Sequence, residues 1–578
     1  MWKETNKVKP KNDIFTTQAR TKDSEKSPLK LSEISLKYLK LYCEYSSLNS
    51  LKYLADTQRP WFERVLWVII HFLVISTLVF MVYLSYQEFI LTPLVTSMET
   101  DSYRTTNLNM PGIAICSINR ISRQSATELA TNIFNAKVTD QSVDEILDLL
   151  THLGDLYAST FVMDASLNVE LHKLLTTYFN GSYDITDTMK ELTPQCSMML
   201  LKCKLHGVYR NCSELFTFRK TQDGYCCTFN YARESDDIPV MNGTLESLYI
   251  HQIADLGIER GLTVVMDPLL DDYFSSILPI KGWKVIVFNP TDYPDMTTGG
   301  VTEIFATPLS ETFVDITTTA FISTEIVHSF SRQKRNCIFS DEDSPMYSDT
   351  MYTYSDCIVD CKVYNIQKVC GCRPFFYPRR SKSDWSWRVC NSEDLNCLAK
   401  YKSKWLTIFP YDDEGNIFRL EKNALHCRNC YPACNDVSYD VFTWKSNMSP
   451  GGYNTNLLWN YNVTDEGVLH VYFSKYGTIR LKQDVAFYWY ELMSDIGGIC
   501  GVFIGFSFIS IVEILYFVAL VFRDFLCKTS SLKEDNNHKD EIPSVQSQIT
   551  QEIYWKELFP RSWRSAKYGK VSNNRARY

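Results

Sequence analysis

Two long apolar runs, about 395 residues apart, constrain this 578-residue chain more than any other feature. The first, from Trp61 to about Phe89, reads WFERVLWVIIHFLVISTLVFMVYLSYQEF, and the second extends from about Val485 to Phe522. An apolar helix of ~20 residues crosses the ~30 Å hydrocarbon core of a bilayer. The first run is too long for a secretory leader and no small-residue cleavage pattern follows it, so it reads as a membrane span. Residues 1–60 carry a net charge of +5 and residues 523–578 carry +4, so the total of −8 leaves about −17 for the segment between. The positive-inside tendency places both ends in the cytoplasm and residues 91–484 outside, as expected of a multi-pass plasma-membrane protein in contact with lipid. An acidic centre of this size repels phosphate and argues against nucleic acid as a partner.

Two independent features agree with that topology. Glycosylation sequons begin at Asn180, Asn211, Asn242, Asn447 and Asn462, all between the runs. Sixteen of the 19 cysteines lie there too, an even number that suits an oxidising compartment. Cys43, Cys500 and Cys527 fall in the tails or the second run and are read as free thiols.

The expected organisation has five parts: a cytoplasmic region 1–60, a first transmembrane helix 61–90, an extracellular domain 91–484, a second transmembrane helix 485–522 and a cytoplasmic tail 523–578. Within the first part, residues 1–35 are polar and read as mostly disordered, and 36–56 regain helical spacing. In the extracellular part, MPGIAICSINR (Met110 to Arg120) reads as a buried strand with a turn. Residues 124–177 carry apolar side chains at helical spacing, with Asp140 and Ser142 as candidate caps. Strand patterns dominate from about 225 to 325, and residues 337–434 hold ten cysteines among helical pieces. The fold class is therefore two transmembrane α-helices flanking a large disulfide-rich α+β ectodomain.

The second run is the unusual one. Gly497, Gly501 and Gly505 share one helical stripe, where small residues let helices approach closely. Its 38 residues would span ~57 Å as one helix at 1.5 Å per residue, so a break, a tilt or an extension is implied. Gly505-Phe506-Ser507 is an easy place to unwind, and carbonyls freed at membrane depth are tolerated where they are buried or line a water path. Asp495 and Glu513 flank this point, and carboxylates within a span face cavities or ion pathways. Repeated around a symmetry axis, Asp495 forms an acidic ring that gathers cations. One pair of spans encloses no pore, so this reading requires an oligomer.

LMSDIGGICGVFIGFSFISIVEILYF resembles the second transmembrane segment of the degenerin/epithelial sodium channel superfamily. The resemblance rests on Gly497-Gly498, on Gly505-Phe506-Ser507 as the family's Gly-x-Ser, and on Glu513 six residues later. Pro111, Cys116, Asn119 and Arg120 resemble the family's motif after the first span. GYCCTFN (Gly224 to Asn230), GLTVVMDP (Gly261 to Pro268), GWKVIVFNPTDYPD and CGCRPFFYP (Cys370 to Pro378) follow in family order. The resemblance covers about 36–525, and Cys226-Cys227 points to the insect pickpocket branch. It implies a homo- or hetero-trimer with a palm, knuckle, finger and thumb ectodomain. It further implies a sodium-selective, amiloride-blocked pore whose permeant ion is sodium and which needs no cofactor or metal. The filter role falls on Gly505, Phe506 and Ser507, the outer acidic ring on Asp495, and the position where bulky substitution holds such channels open on Ser494. Gly497, Gly498 and Gly501 would pack the pore helices, and Glu513 would lie at the inner pore.

The resemblance also implies a pairing of the sixteen outer cysteines. It joins Cys116 to Cys226, Cys203 to Cys212, Cys337 to Cys434, Cys357 to Cys430, Cys361 to Cys427, Cys370 to Cys397 and Cys372 to Cys390, with Cys196 to Cys227 as an added bridge. A zinc or redox reading of Cys427-x-x-Cys430 is the rival. Two departures stand out. The family's cytoplasmic His-Gly is replaced by Asn49-Ser50, which puts self-sufficient conduction in question. The thumb's usual Cys-x-Cys is Cys427-Arg-Asn-Cys430 here.

Other signals are open to two readings. RQKR (Arg332 to Arg335) fits a furin-type cleavage pattern but also a structural basic stretch. His71 is a packing residue or a proton sensor, and the basic aromatic tail YWKELFPRSWRSAKYGK is a solvated tail or a lipid contact. No hydrolytic or nucleotide-binding motif in context points to an enzyme. The leading function is a pore-forming subunit of a sensory sodium channel. The alternative is a non-conducting regulatory or obligate heteromeric partner.

Overall fold

A computed structural model describes residues 31–48, 51–55, 60–158, 165–181, 183–233, 240–241, 244–245, 250–342, 352–379, 387–409 and 424–534. The chain divides into two compact units, residues 85–492 and the two flanking stretches together.

The larger unit is built on two β-sheets. The longer one runs in the order Leu94–Arg104, Gly477–Val485, Ser310–Ser323, Gly467–Phe473, Leu262–Met266, Leu200–Leu205, Val208–Arg210, and Asp436–Asn447 also pairs with Ser310–Ser323. Ser310–Ser323 alternates buried and half-buried residues, as a strand with one face on a core must. It pairs in parallel with Gly467–Phe473 and with Gly477–Val485, and antiparallel with Asp436–Asn447. The second sheet has the order Thr302–Ala306, Trp283–Phe288, Gly112–Ser117, Gly224–Phe229, Phe216–Thr221. Three of its strands read as unbroken apolar runs because both faces are covered. Trp283, Ile115, Val285, Phe229, Val264 and Leu469 meet in one core shared by the two sheets. The first and last strands pair antiparallel, Leu94 opposite Val485, so the chain enters and leaves this unit at neighbouring positions.

A second core belongs to helices. Arg123–Asn135, Val143–Thr151, Ala165–Tyr178 and Ile185–Leu192 bury Ile133, Ile146, Leu150, Leu171, Leu175 and Met189 together. Of the two candidate caps, Ser142 is the one used. It caps Val143–Thr151 and forms a reciprocal pair with Glu145, satisfying donors that the first turn leaves orphaned. The third core lies around Tyr354–Cys370 and Leu395–Leu406 and is small.

Disulfides staple that small core. The structure joins Cys357 to Cys430, Cys361 to Cys427, Cys370 to Cys397 and Cys372 to Cys390, with Cys337 to Cys434 below them. Cys116–Cys226, Cys196–Cys227 and Cys203–Cys212 complete the eight. These are the pairs that the family resemblance implies. Cys427 and Cys430 each hold a different helix position, four residues apart, so their thiols are consumed and the zinc reading is overturned.

The structure also decides between the two readings of RQKR. Arg335 is 2% exposed. Its guanidinium donates to the carbonyls of Cys337, His328 and Phe330 and pairs with Glu342. A processing protease needs this side chain in its own pocket. Co-expression with furin is therefore expected to leave the chain whole on a reducing gel, and a fragment ending at Arg335 would show that this turn opens.

Candidate pore site

The smaller unit contains the residues that carry the pore reading. Trp61–Leu91 is one 31-residue helix, long and apolar enough to cross a bilayer. His71 donates from, or accepts at, Nδ1 against the Trp67 carbonyl at 2.8 Å, within its own helix. Tyr53, on the short helix Leu51–Ala55, stacks on Trp67 with ring centroids 4.7 Å apart.

The second apolar run is not one helix over 485–522. Val485 still belongs to a strand, and the helix starts at Trp489. It runs to Ile504, breaks, and resumes as Phe508–Glu534, the two pieces bent by 75°. The three residues between the helices are Gly505, Phe506 and Ser507.

The break follows from Gly505. Its φ is +67°, in the left-handed region that side chains disfavour. Its N–H donates to the Gly501 carbonyl at 3.0 Å, the pattern of a helix ended by a left-handed glycine. Phe506 N–H then reaches back to the Cys500 carbonyl at 3.3 Å. The turn passes close to Gly501, where an added Cβ would sit 3.8 Å from the Phe506 carbonyl oxygen. Among the described residues no main-chain donor outside the helices reaches the carbonyls of Gly505 or Phe506.

Ser507 restarts the chain as a helix. Its N–H donates to Ser510 Oγ at 3.2 Å, and Ser510 N–H donates to the Ser507 carbonyl at 3.0 Å. Ser510 is fully buried and its hydroxyl also meets Ser47 Oγ at 3.0 Å. Ser47 lies just after the helix Leu31–Tyr45, 466 residues before Glu513. Its N–H and Oγ both donate to one Glu513 oxygen, at 3.1 and 2.9 Å. Nearby, Tyr42 meets Phe517 edge-on with centroids 5.2 Å apart. One polar chain therefore runs from Ser507 through Ser510 and Ser47 to Glu513. The structure brings together Gly505, Phe506, Ser507 and Glu513 from the sequence-predicted set, and adds Ser47 and Ser510. The serines Ser46, Ser47, Ser507 and Ser510 were visible signals, but nothing in their spacing pairs them.

The other predicted residues lie on the outer helix. Ser494, Asp495, Gly497 and Gly498 are exposed. An added Cβ at Gly497 or Gly498 meets no atom of this chain within 4 Å. That stripe is thus not used for packing within one chain. Asn49 and Ser50 lie outside the described residues, as does Asn242. Asn180, Asn211, Asn447 and Asn462 are exposed. Cys43 and Cys500 are free thiols.

The family profile described as amiloride-sensitive sodium channel matches residues 42–517. The chain belongs to that family. Its match spans Ser47, both apolar runs and the break at Gly505. The sodium channel protein Nach of Drosophila melanogaster is 24% identical over 83% of this chain and 87% of its own length. Pickpocket protein 28 of the same fly is 24% identical over 86% of this chain and 80% of its own. The acid-sensing ion channel 1C of Danio rerio is 24% identical, covering 84% of each. This is an insect pickpocket-like subunit of the degenerin/epithelial sodium channel superfamily, a family of ion channels rather than enzymes.

Proposed function

We propose that the chain is a pore-forming subunit of a trimeric, sodium-selective, amiloride-sensitive cation channel with a sensory role. It would sit in the plasma membrane with both spans crossing, both termini cytoplasmic and residues 91–484 outside. The observation that carries this reading is the left-handed turn at Gly505, inside the family-matched segment. It ends one helix at membrane depth and leaves the Gly505 and Phe506 carbonyls without main-chain donors, as a site replacing an ion's hydration shell requires. Three copies around an axis would set Asp495 as the outer ring. The unoccupied surface at Gly497 and Gly498 would receive the neighbouring helices.

Expression alone in oocytes, with Ser494→Phe to favour the open state, tests it. An amiloride-sensitive inward sodium current is expected. Surface protein without current would favour the second reading, an obligate partner or regulatory subunit, for which Asn49-Ser50 in place of His-Gly is the specific observation.

Ser510 would position the filter. Ser510→Ala removes the acceptor of the Ser507 N–H inside a buried site, a loss of about 1–3 kcal/mol. The reversal potential in mixed sodium and potassium is expected to move toward potassium in Ser510→Ala. An unchanged reversal potential would mean that the filter is held without it.

A further inference from the structure

A cavity of about 650 Å³ lies between the helical core and the segment after the disulfide-stapled helix, and none of the pore chemistry uses it. Its walls include Thr176, Gly181, Tyr183, Trp387, Arg388 and Asn391. Gly181 is the middle residue of the sequon Asn180-Gly181-Ser182.

The placement of Asn180 follows from how the helix Ala165–Tyr178 ends. Asn180 has φ +57°, one of the few conformations in which asparagine rivals glycine. Its N–H donates to Thr177 and that of Gly181 to Thr176, the paired bonds of a left-handed helix cap. The cap fixes the sequon at the cavity wall and keeps Asn180 exposed.

The cavity's chemistry narrows its occupant. Aromatic surface is present: Tyr183 is stacked on Phe179 with centroids 5.7 Å apart, and Trp387 is 42% exposed. The charged side chains are already matched. Arg379 pairs with Asp184 at 2.6 Å, Arg388 with Asp394 at 2.6 Å, and His172 Nε2 lies 3.7 Å from Glu393. A site for phosphate or for a cation would leave one sign in excess. Matched pairs instead offer donors and acceptors together, beside flat apolar rings. That combination suits a neutral polyhydroxyl ligand.

We propose that this cavity holds the first sugars of an N-linked glycan on Asn180. The N-acetylglucosamine would lay its C–H face on Trp387 or Tyr183 and hydrogen-bond to the paired side chains and Asn391. The glycan then ties the helical core to residues 387–393 across the cavity. The inference rests on the extracellular placement of residues 91–484.

The test uses the full chain made in vertebrate cells. Glycopeptide mass spectrometry reads occupancy at Asn180 and Asn462, and native treatment with peptide N-glycosidase F reads the release rate at each. Asn462 is the exposed control. The expected result is occupancy at both, with release at Asn180 at least tenfold slower, and with Trp387→Ala removing that lag. Equal release rates, or a lag that persists in Trp387→Ala, would overturn the proposal. Asn180 bare with Asn462 occupied would overturn it alone. Both sites bare would overturn the extracellular reading with it.

Discussion

Lys362→Met is expected to destabilise the large unit by about 3–5 kcal/mol, the cost of leaving a buried carboxylate without its partner. Lys362 Nζ lies 3.0 and 2.7 Å from the two oxygens of Asp295 and 2.7 Å from Thr297 Oγ1. Tyr377 donates to the same carboxylate at 3.1 Å. The side chains of Lys362 and Asp295 are 5% and 2% exposed, so water does not substitute for either. Burial alone would push the Asp295 carboxyl up. The Lys362 charge and the hydrogen bonds from Lys362 and Thr297 outweigh it and hold the group below the usual range. A depressed carboxyl contributes stability above its unfolded value, and that contribution is lost as pH falls through the folded one. With Lys362 gone, burial raises the group instead. The variant's deficit should be largest near neutral pH and shrink toward about pH 4, where the carboxyl takes a proton in both states. Thermal unfolding of the full chain in detergent at several pH values reads this. The double variant Lys362→Met with Asp295→Asn should recover most of the loss. A deficit independent of pH would point to lost packing rather than to an orphaned charge.

The second large effect is expected at Gly505. A side chain in the left-handed region costs roughly 1–2 kcal/mol, and more when it is β-branched. Gly505→Val should therefore drive the turn out of its +67° conformation. If the turn sets the carbonyls that ions meet, an energy of this size corresponds to roughly a five- to thirtyfold loss of conducting channels. The measurement is sodium current per unit of surface protein in the Ser494→Phe background. Gly505→Ala should lose less than Gly505→Val. Full current in both would mean that Gly505 is a bend and no part of the ion path.

Much of the fold was legible because its signals are local. The apolar length of Trp61–Leu91, the alternation of Ser310–Ser323 and the Ser142 capping box each depend on neighbours within a few residues. The break at Gly505 was legible for the same reason, since glycine next to a polar residue is the weakest point of an apolar helix. The long-range pairings were not. Lys362 and Asp295 are 67 residues apart, and no residue pattern along the chain marks either as the other's partner. Ser47 and Glu513 are separated by 466 residues, and each reads as an ordinary surface or span residue in isolation. The parallel pairing of Ser310–Ser323 with strands about 150 residues later is equally silent, because a strand's alternation fixes its face and not its neighbour. The start of the second helix was misplaced by four residues for a related reason. Val485 to Tyr488 are apolar or aromatic enough to pass for span, yet Val485 completes the ladder opposite Leu94.

That ladder has an evolutionary consequence. Because Leu94 and Val485 are facing partners, everything between them is, topologically, the loop of a single hairpin. A loop can lengthen at little cost in closure entropy, since each doubling adds only about 0.6 kcal/mol. Fingers, thumbs and their sugars can be enlarged, trimmed or exchanged between relatives while the stem still delivers both membrane segments side by side. Diversity in what such a chain detects can thus accumulate without redesigning how its two ends are anchored.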